Sequence, residues 1–297
     1  MRFSGVFIAI STLLFLLFPS CRTDEAFVPS YIRIDSAILD ASGINGNNIH
    51  DIQAIQVYVN SQTVGTFPLP CTFPLDAEGP TKIQIAPFVK INGNSQTLNN
   101  YLTLDLVDTT IGLTRESTAT FSPIFRFRNR AKIAWQEDFE DSNTTLVPIR
   151  LLEDDYSRIE TRHFDLNNRF SGPSKVLVSG FSAADSLKSM DLAHFELFKD
   201  LPNDGSGIFM EFDVKSELPV LVAVKRYNSM GQEFVPYMTI NPTGSEWKHF
   251  YVNLSYEIQG QPDDTKYEIF FSTDKKADFE GSLEFLLDNI RLSYNQP

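Results

Sequence analysis

The chain has 297 residues, of which 42% are hydrophobic and 21% are charged, and this composition is typical of a folded globular protein. Acidic residues outnumber basic residues by 38 to 25, so the formal net charge at pH 7 is −13. Because such a surface repels nucleic-acid phosphates and anionic lipids, the composition argues against nucleic-acid binding and against electrostatic adsorption to a membrane.

The first twenty residues have the features of a secretory signal peptide. Arg2 is the only charged residue before position 22, and residues 6–18 are apolar apart from one serine and one threonine. This apolar run is shorter than the about 20 residues that a bilayer-spanning helix needs, and a small residue, Ser20, precedes Cys21. We therefore predict a signal peptide at 1–20.

Residues 17–21, LFPSC, resemble a bacterial lipobox, in which a diacylglycerol is attached to the cysteine thiol and this cysteine becomes the mature N-terminus. The resemblance implies that Cys21 is lipidated, and ordinary cleavage beside an unmodified cysteine is the alternative. Stable anchoring takes more than one acyl chain, at about 0.8 kcal/mol for each buried methylene, and a diacylated cysteine meets this condition. With Cys21 modified, Cys71 is the only thiol left, so we expect no intramolecular disulfide.

Two acidic residues, Asp24 and Glu25, follow this cysteine closely. They resemble the acidic export signal that sends lipoproteins of Bacteroidota to the outer face of the outer membrane. The resemblance implies a lipid-anchored outer-membrane protein that is exposed at the cell surface, and the periplasmic face is the alternative. We expect residues 21–30 to form a flexible tether behind the lipid.

Short segments with β-strand patterns follow one another through the rest of the chain. Residues 31–39, 52–59 and 101–107 alternate apolar and polar positions or run apolar over strand lengths, and clusters of glycine, asparagine and proline separate such segments. The signal peptide aside, the sequence has no helical repeat of ten residues or more. It therefore predicts an all-β protein built from antiparallel sandwiches.

A basic cluster at 126–132, RFRNRAK, interrupts this rhythm, and a second series of strand patterns follows it. We predict a domain boundary near residue 130, with one β-sandwich at 31–130 and another at 131–297.

Residues 208–214, IFMEFDV, show the alternation most clearly. Apolar residues occupy one face of the predicted strand, whereas Phe209, Glu211 and Asp213 occupy the other. This pattern predicts a strand that is buried on one face only.

The second series contains segments that resemble those of jelly-roll domains of the carbohydrate-binding-module type. Residues 139–141 (FED) and 286–294 (LLDNIRLSY) resemble the opening and closing strands, and residues 245–254 (SEWKHFYVNL) resemble the penultimate strand, which carries a tryptophan. The resemblance implies a jelly roll of the galactose-binding type at 131–297.

In such domains a structural Ca²⁺ often ties the opening glutamate to an aspartate of the last strand. The corresponding positions here are Glu140 and Asp288. Because Ca²⁺ takes about six to eight oxygen ligands, backbone carbonyls would complete the shell. The alternative is a pair of ordinary acids at the domain edge. We expect no other cofactor.

Residues 83–101 (IQIAPFVKINGNSQTLNNY) resemble a recurring segment of immunoglobulin-like domains in surface lipoproteins of Bacteroidota. In that family a proline precedes an I-x-x-N-G turn. The resemblance implies that the sandwich at 31–130 is immunoglobulin-like.

Motifs of known enzyme classes are missing from the sequence. It has no H-E-x-x-H motif, no Walker loop, no dinucleotide glycine fingerprint and no G-x-S-x-G motif, and its four histidines lack metal-ligand spacing. The acidic clusters at 137–141 and 151–156 have the residue types of a glycosidase acid and nucleophile, but solvated acids at a domain edge are the simpler interpretation. We predict that the protein is not an enzyme.

Three aromatic residues of the second sandwich are candidate ligand-binding residues, since sugar C–H faces stack on exposed aromatic rings. Tyr227 and Tyr237 flank the turn at 228–236, where we expect a recognition loop, and Trp247 belongs to the penultimate strand. Packing in the core is the alternative interpretation of Trp247.

These observations predict a non-catalytic, lipid-anchored protein of the cell envelope. Its first predicted function is to bind an outer-membrane protein as an accessory subunit of an outer-membrane assembly. The alternative function is capture of a glycan at the cell surface for polysaccharide uptake. The membrane is contacted through the lipid anchor, and we expect no nucleic-acid partner.

Overall fold

The computed structural model describes residues 28–94, 96–141, 143–148, 158–164, 170–184, 189–276 and 279–297. The predicted signal peptide, Cys21 and the acidic pair after it lie outside the described residues, as does the acidic cluster at 151–156. For residues 158–164 only the backbone is described. Within the described ranges, no helix is both long enough and apolar enough to cross a bilayer.

The described part of the chain is almost entirely β-structure, which confirms the all-β prediction. In the first half of the chain (28–130), the described residues form ten strands and a 3₁₀ turn at Ser42–Ile44. The strands are β1 Ser30–Ile34, β2 Ile38–Asp40, β3 Ala54–Val59, β4 Gln62–Pro68, β5 Cys71–Leu75, β6 Gly79–Lys90, β7 Leu98–Asn100, β8 Val107–Leu113, β9 Thr118–Thr120 and β10 Ile124–Arg126.

The second half of the chain (131–297) contains eleven described strands and a short helix, α1, at Ser255–Ile258. The strands are β11 Ala131–Glu137, β12 Leu146–Pro148, β13 Arg158–Phe164, β14 Ser174–Ser182, β15 Ser189–His194, β16 Ile208–Ser216, β17 Val220–Asn228, β18 Gly231–Ile240, β19 Lys248–Asn253, β20 Lys266–Asp274 and β21 Ser282–Asn295.

Three sheets form the first half. The largest has the order β4-β3-β6-β7, with β8 also paired to β6; the others are β5-β1-β9 and β10-β2. Most neighbours are antiparallel, but β1 pairs with β9, and β2 with β10, in parallel. Apolar side chains of these sheets meet in one core, which includes Ile32, Ile34, Val57, Phe73, Ile85 and Phe125.

The described strands of the second half form two antiparallel sheets. One, here called the first sheet, has the order β13-β14-β21-β16-β19, with β11 also paired to β21. The other, the second sheet, has the order β12-β15-β20-β17-β18. Apolar residues between them form the core, including Met210, Phe212, Val214, Val222, Phe271 and Leu287. This arrangement confirms the predicted β-sandwich of the jelly-roll class.

The two halves share part of their buried interior. Phe209 and Tyr251, which belong to the second half, are members of the core of the first half. The ring of Tyr101 meets Phe209 at a centroid distance of 5.0 Å and Tyr251 at 5.2 Å, both edge to face. The bounds 31–130 and 131–297, like the immunoglobulin-like character of the first half, stay predictions.

The prediction that β16 is buried on one face only is wrong. Glu211 and Asp213 are as buried as the apolar residues of the opposite face, and so is Phe209. The reason is that Tyr101 of the first half covers Phe209 and Glu211, whereas His249 and Asn289 of the second half contact Asp213. The alternation of residues along a strand shows which face is polar. It does not predict whether a distant part of the chain packs against that polar face.

The strands β14 and β21 approach each other closely at Gly180, which pairs with Glu284. A Cβ atom at Gly180 would lie 2.9 Å from the Cα of Glu284 and closer still to the carbonyl oxygen of Leu283. Both atoms belong to the backbone, so the sheet itself would have to shift to accommodate a side chain.

We expect Gly180→Ala to lower the free energy of unfolding by about 3 kcal/mol, the upper end of the usual cost of overpacking. Gly112→Ala, also within a strand, is the matched control, because a Cβ atom there meets nothing within 4 Å. Urea denaturation of the two variants and the wild type measures the difference. Equal midpoints for Gly180→Ala and the wild type would contradict the close approach.

Candidate functional site

An asparagine–glycine turn of the first half is hydrogen-bonded to the second half. Asn92 and Gly93 both adopt positive φ angles, 55° and 68°, which suit these two residue types. The backbone N–H of Asn92 donates to the carbonyl oxygen of Tyr251 at 2.8 Å, and the Asn92 Oδ1 accepts from the Asn253 N–H at 3.0 Å. The Asn92 Nδ2 donates to the Tyr237 hydroxyl at 3.2 Å. This turn therefore holds the β6–β7 loop against β19.

A buried cluster of charged groups lies beneath this contact, on β16, β19 and β21. Arg291 Nε donates to Glu211 Oε1, and the Tyr101 hydroxyl donates to the same oxygen at 2.6 Å. The ring of His249 contacts Glu211 Oε2 through Nε2 at 3.1 Å and Asp213 Oδ1 through Nδ1 at 2.7 Å. The charged side chains of the cluster are at most 2% exposed.

Mutual contacts set the protonation of this cluster. Burial raises the pKa of the Glu211 carboxyl, but the charge of Arg291 and the hydrogen bond from His249 outweigh burial and lower the pKa to about 2. Burial lowers the pKa of His249, but Asp213 and Glu211 outweigh it and raise the pKa to about 9. At neutral pH the ring is therefore an imidazolium, and its two N–H groups donate to the two carboxylates.

The same cluster positions a loop of the first half. Arg291 donates from Nη1 to the carbonyl oxygen of Asn47 at 2.9 Å and from Nη2 to that of Ile49 at 3.1 Å. Two residues further on, the N–H of Asp51 donates to the Tyr251 hydroxyl at 2.8 Å. The loop before β3 is thus fixed on the second half by side chains that are themselves buried.

A pocket of about 360 Å³ opens between this loop, the Asn92–Gly93 turn and β19. Aromatic and polar groups line it, and both halves contribute; the lining residues are Asp51, Gln53, Lys90, Gly93, Asn94, Phe170, Trp247, Lys248, His249 and Phe250. Phe170 lies beside His249, with the ring centroids 5.5 Å apart. The pocket joins aromatic rings to carboxylate, amide and ammonium groups.

Trp247 is half-buried in this pocket, where it packs against three apolar residues of the first sheet, Val176, Val178 and Leu286. Its indole Nε1 has no hydrogen-bond partner among the described residues. The Nε1 atom is itself buried, and leaving such a donor unpaired costs about 1–3 kcal/mol.

A second pocket, of about 620 Å³, adjoins the first, and all of its lining residues belong to the first half. Asp51, Gln53 and Lys90 line both pockets. The two pockets together form an elongated depression, here called the junction groove. Its dimensions suit an extended ligand with several polar groups better than a single small ion.

The structure brings two of the three predicted aromatic residues to this region. Trp247 lines the groove, and Tyr237 lies behind it, where its hydroxyl contacts Asn92 and donates to the backbone oxygen of Asn253. Burial raises the pKa of Tyr237 to about 12. Tyr227 lies elsewhere, on β17 of the second sheet, and donates to Glu268 at 2.9 Å.

The sequence does not predict the groove residues that loops supply, above all Asp51, Gln53 and Phe170. Asp51 and Gln53 belong to the first half, and they reach the site because Arg291 and Tyr251 hold their loop. A periodic pattern carries no signal for such residues. The Asn92–Gly93 turn was visible in the sequence as a turn, but its docking role was not.

The two predicted calcium ligands contact neighbouring residues of β14. Glu140 Oε1 accepts from the Lys175 N–H at 2.9 Å, and Asp288 Oδ2 accepts from the Ser174 hydroxyl at 2.9 Å. Burial raises the pKa of Asp288 to about 7. Lys175 Nζ donates a hydrogen bond to the backbone oxygen of Glu140 at 2.7 Å.

Ca²⁺ takes about six to eight oxygen ligands. Across the described ranges, no group of three or more histidine, cysteine, aspartate or glutamate residues is arranged to hold a metal ion. The described carboxylates therefore do not assemble a Ca²⁺ shell by themselves, and the calcium site stays a prediction.

One acid of the predicted solvated cluster is not solvated. Glu137 is buried, and its carboxylate accepts hydrogen bonds from the Phe139 N–H at 2.9 Å and from the N–H and hydroxyl of Thr145, each at 2.7 Å. This acid satisfies backbone donors at the edge of the sandwich. It has a structural task.

No protein-family model and no curated protein matches this sequence. The structural neighbours include carbohydrate-binding modules with a β-sandwich fold. A xylan-binding domain of family 22 is 14% identical over 55% of this chain and 95% of its own length, with a TM-score of 0.37. A carbohydrate-binding module of promiscuous specificity from the β-sandwich superfamily is 9% identical over 84% of this chain and 86% of its own length, with a TM-score of 0.35.

The enzymatically active domain of tailspike protein 4 from bacteriophage CBA120 is also similar, with 16% identity and a TM-score of 0.37. The match covers 53% of this chain but only 20% of the tailspike chain. All three TM-scores are low, and they assign neither a ligand nor an activity to this protein.

The raised pKa of His249 makes the free energy of unfolding depend on pH. Its folded value, about 9, lies above the ordinary value of 6.5, so the imidazolium contributes stability that is fully present below pH 6.5 and lost as the pH rises through 9. The shift corresponds to on the order of 3 kcal/mol. We expect the free energy of unfolding from urea titrations to fall over this interval.

His249→Asn is the control, because it removes the titrating ring and keeps a polar side chain of similar position. The difference in unfolding free energy between the wild type and this variant should shrink as the pH rises through 9. A difference that stays constant over the same interval would contradict a buried imidazolium.

Proposed function

We propose that this protein is a non-catalytic glycan-binding lipoprotein and that the junction groove is its ligand site. The observation that carries the proposal is the pairing of aromatic rings, Trp247 and Phe170, with carboxylate, amide and ammonium groups in one elongated depression. A sugar ring has an apolar C–H face and a rim of hydroxyls. The first packs on aromatic rings, and the second exchanges hydrogen bonds with such polar groups.

The size and shape of the groove support this proposal. Pockets of about 360 and 620 Å³ that share a wall lie within the range of about 300–1,000 Å³ that is usual for small-molecule sites. An oligosaccharide is long and polar along its whole length, and the groove extends from β19 across the loop that carries Asp51 and Gln53.

The rigidity of the groove is a second support. The loop of Asp51 is held by Arg291 and Tyr251, and the turn at Asn92 is held by backbone hydrogen bonds to β19. A wall that is ordered before the ligand arrives loses little conformational entropy on binding, which favours affinity for a weakly interacting ligand such as a sugar.

The chemistry of the pocket at β19 favours binding over catalysis. His249 is the histidine among the residues that line the pocket at β19, and both of its N–H groups already donate to Asp213 and Glu211. A general acid or base needs a proton that it can exchange with the substrate. We therefore assign His249 to the support of the groove.

We further propose that Cys21 carries the lipid and that the protein is held at the outer membrane, facing the cell surface. The first strand begins at Ser30, nine positions after Cys21. A fully extended chain spans at most about 3.3–3.6 Å for each residue, so a tether of this length reaches about 30 Å. The folded body would then lie close to the membrane, where it can meet a polysaccharide.

A second candidate function is the accessory-subunit role, in which the protein docks on an outer-membrane protein. The β17–β18 hairpin favours it, because Met230 at its tip is 80% exposed and Phe234 on β18 is 50% exposed. Phe234 lies against Phe270, with the ring centroids 5.6 Å apart. Exposed apolar groups of this kind are typical of contact surfaces between proteins. They lie on the second sheet and do not line the groove.

We expect Trp247→Ala to weaken glycan binding at least about tenfold, the effect of losing about 1.4 kcal/mol of contact energy. Isothermal titration of the protein with a panel of polysaccharides measures this change. Tyr256→Ala is the matched control, since Tyr256 is 69% exposed on α1, is not a groove residue, and should leave affinity unchanged.

Because Trp247 also packs on the first sheet, Phe170→Ala is a second test that leaves that packing intact, and it should weaken binding as well. Melting temperatures confirm that each variant is folded. Wild-type protein that binds none of the polysaccharides, or variants that bind as well as the wild type, would contradict the proposed site.

We expect Cys21→Ser to move the protein from the membrane fraction to the soluble fraction, because serine oxygen does not accept the diacylglycerol of the lipobox reaction. Fractionation of cells that express the two forms, followed by immunoblotting, measures the distribution. A Cys21→Ser variant that still sediments with membranes would contradict anchoring through this residue.

A further inference from the structure

A third pocket, of about 510 Å³, lies beside the link between β10 and β11, and none of its lining residues belongs to the junction groove. The 3₁₀ turn at Ser42–Ile44 forms one side, and residues of the basic cluster at 126–132 form the other. Three cations line it, Arg126, Arg128 and Lys132, against one carboxylate, Asp40. We call it the basic pocket.

The ionic contacts within this pocket leave many donors unused. Arg126 donates from Nε to Asp40 Oδ2 at 2.9 Å, and Arg128 donates from Nε to the carbonyl oxygen of Leu104 at 3.0 Å. Asp105 lies 4.0 Å from Arg128 Nε. Lys132 is exposed and makes no ion pair or side-chain hydrogen bond with any described residue. The Nη groups of both arginines and the Lys132 ammonium remain available.

The charge of the pocket is opposite to that of the whole protein. The chain carries a net charge of −13, yet cations outnumber carboxylates three to one in the lining of this pocket. Because the protein as a whole repels anions, only short-range contacts with a local concentration of cations can hold one. The basic pocket provides such a concentration inside a concave site.

We propose that the basic pocket binds a phosphate ester. The planar forks of Arg126 and Arg128 match the oxygen geometry of phosphate, and Lys132 adds a third positive charge. The side-chain amide of Asn45 lies in the same lining and supplies neutral donors. The volume exceeds that of a bare phosphate ion, so the pocket has room for the group that carries the phosphate.

Asp40 limits the affinity of the pocket for an anion. Its carboxylate accepts from the Ser42 hydroxyl at 2.7 Å as well as from Arg126, and the Ser42 hydroxyl and backbone contacts, with Arg126, hold its pKa below the usual value. The carboxylate is therefore ionised and competes with a phosphate for Arg126. Neutralising Asp40 should strengthen binding, whereas neutralising the cations should weaken it.

The phosphate ester has two possible sources, a free sugar phosphate and the headgroup of a phospholipid. The experiment therefore has two arms, both with the full chain carrying Cys21→Ser so that no acyl chain contributes to binding. In the first arm, glucose 6-phosphate and glucose are titrated into the protein by calorimetry. In the second, the protein is sedimented with vesicles of phosphatidylcholine alone or with added phosphatidylglycerol.

Glucose 6-phosphate should bind and glucose should not bind at this site. Arg126→Gln/Lys132→Gln should weaken the binding at least about tenfold, since two charge-assisted contacts are lost. Arg33→Gln/Lys82→Gln is the matched control, because it removes one arginine and one lysine whose partners, Asp35 and Asp108, lie outside the pocket, and it should bind as the parent does. Asp40→Asn should bind severalfold more tightly.

Sedimentation with phosphatidylglycerol vesicles that depends on Arg126 and Lys132 would identify a headgroup as the source, and binding of glucose 6-phosphate alone would identify a free ester. Either result supports the proposal. Failure of both probes to bind, or equal loss in the cation variant and its matched control, would overturn it. The basic pocket and the junction groove share no lining residue. The Arg126→Gln/Lys132→Gln variant therefore separates binding in the basic pocket from binding of a sugar ring in the groove, and failure of one proposal does not contradict the other.

Discussion

The buried carboxylate of Glu211 is the group on which the arrangement of the two halves depends. Arg291, His249 and Tyr101 all contact it, and Tyr101 comes from the other half of the chain. A carboxylate taken out of water costs several kcal/mol unless each of its oxygens is paired, and loss of one partner of a buried pair costs about 3–5 kcal/mol. The two halves therefore pack only in the arrangement that brings the Tyr101 hydroxyl to a carboxylate oxygen of Glu211.

From this arrangement the geometry of the groove follows. Arg291 donates hydrogen bonds both to Glu211 and to the carbonyl oxygens of Asn47 and Ile49. The guanidinium that neutralises the buried acid therefore also fixes the loop that carries Asp51. An apolar interface of the same area would hold the halves together at a lower cost in desolvation. It would not position a loop with the same accuracy, because dispersion contacts have little directionality.

The sequence predicts the strands and the sandwich class because both depend on local periodicity. The alternation at 208–214 correctly indicates that Met210, Phe212 and Val214 enter a core. It fails for Glu211 and Asp213, since the residues that enclose them, Tyr101, His249 and Asn289, lie far away in the chain and leave no trace in a period-two pattern. Trp247 was identified as a candidate from its strand, whereas Asp51 and Phe170 reach the groove through tertiary packing alone. The lipidation of Cys21 is predicted from a local motif, which is independent of the fold.

The sharing of one interior by both halves changes what can be separated. Phe209 and Tyr251 belong to the first sheet of the second half but pack in the core of the first, beside a layer of paired charges. If the chain were cut near residue 130, the second piece would expose Phe209, Tyr251 and the charged cluster to water, and the first piece would expose the apolar side chains that pack on them. The jelly roll is consequently not an autonomous folding unit. We expect fusions or truncations that separate it from the first half to give an aggregation-prone protein. It can be transferred between proteins only together with the segment that covers it.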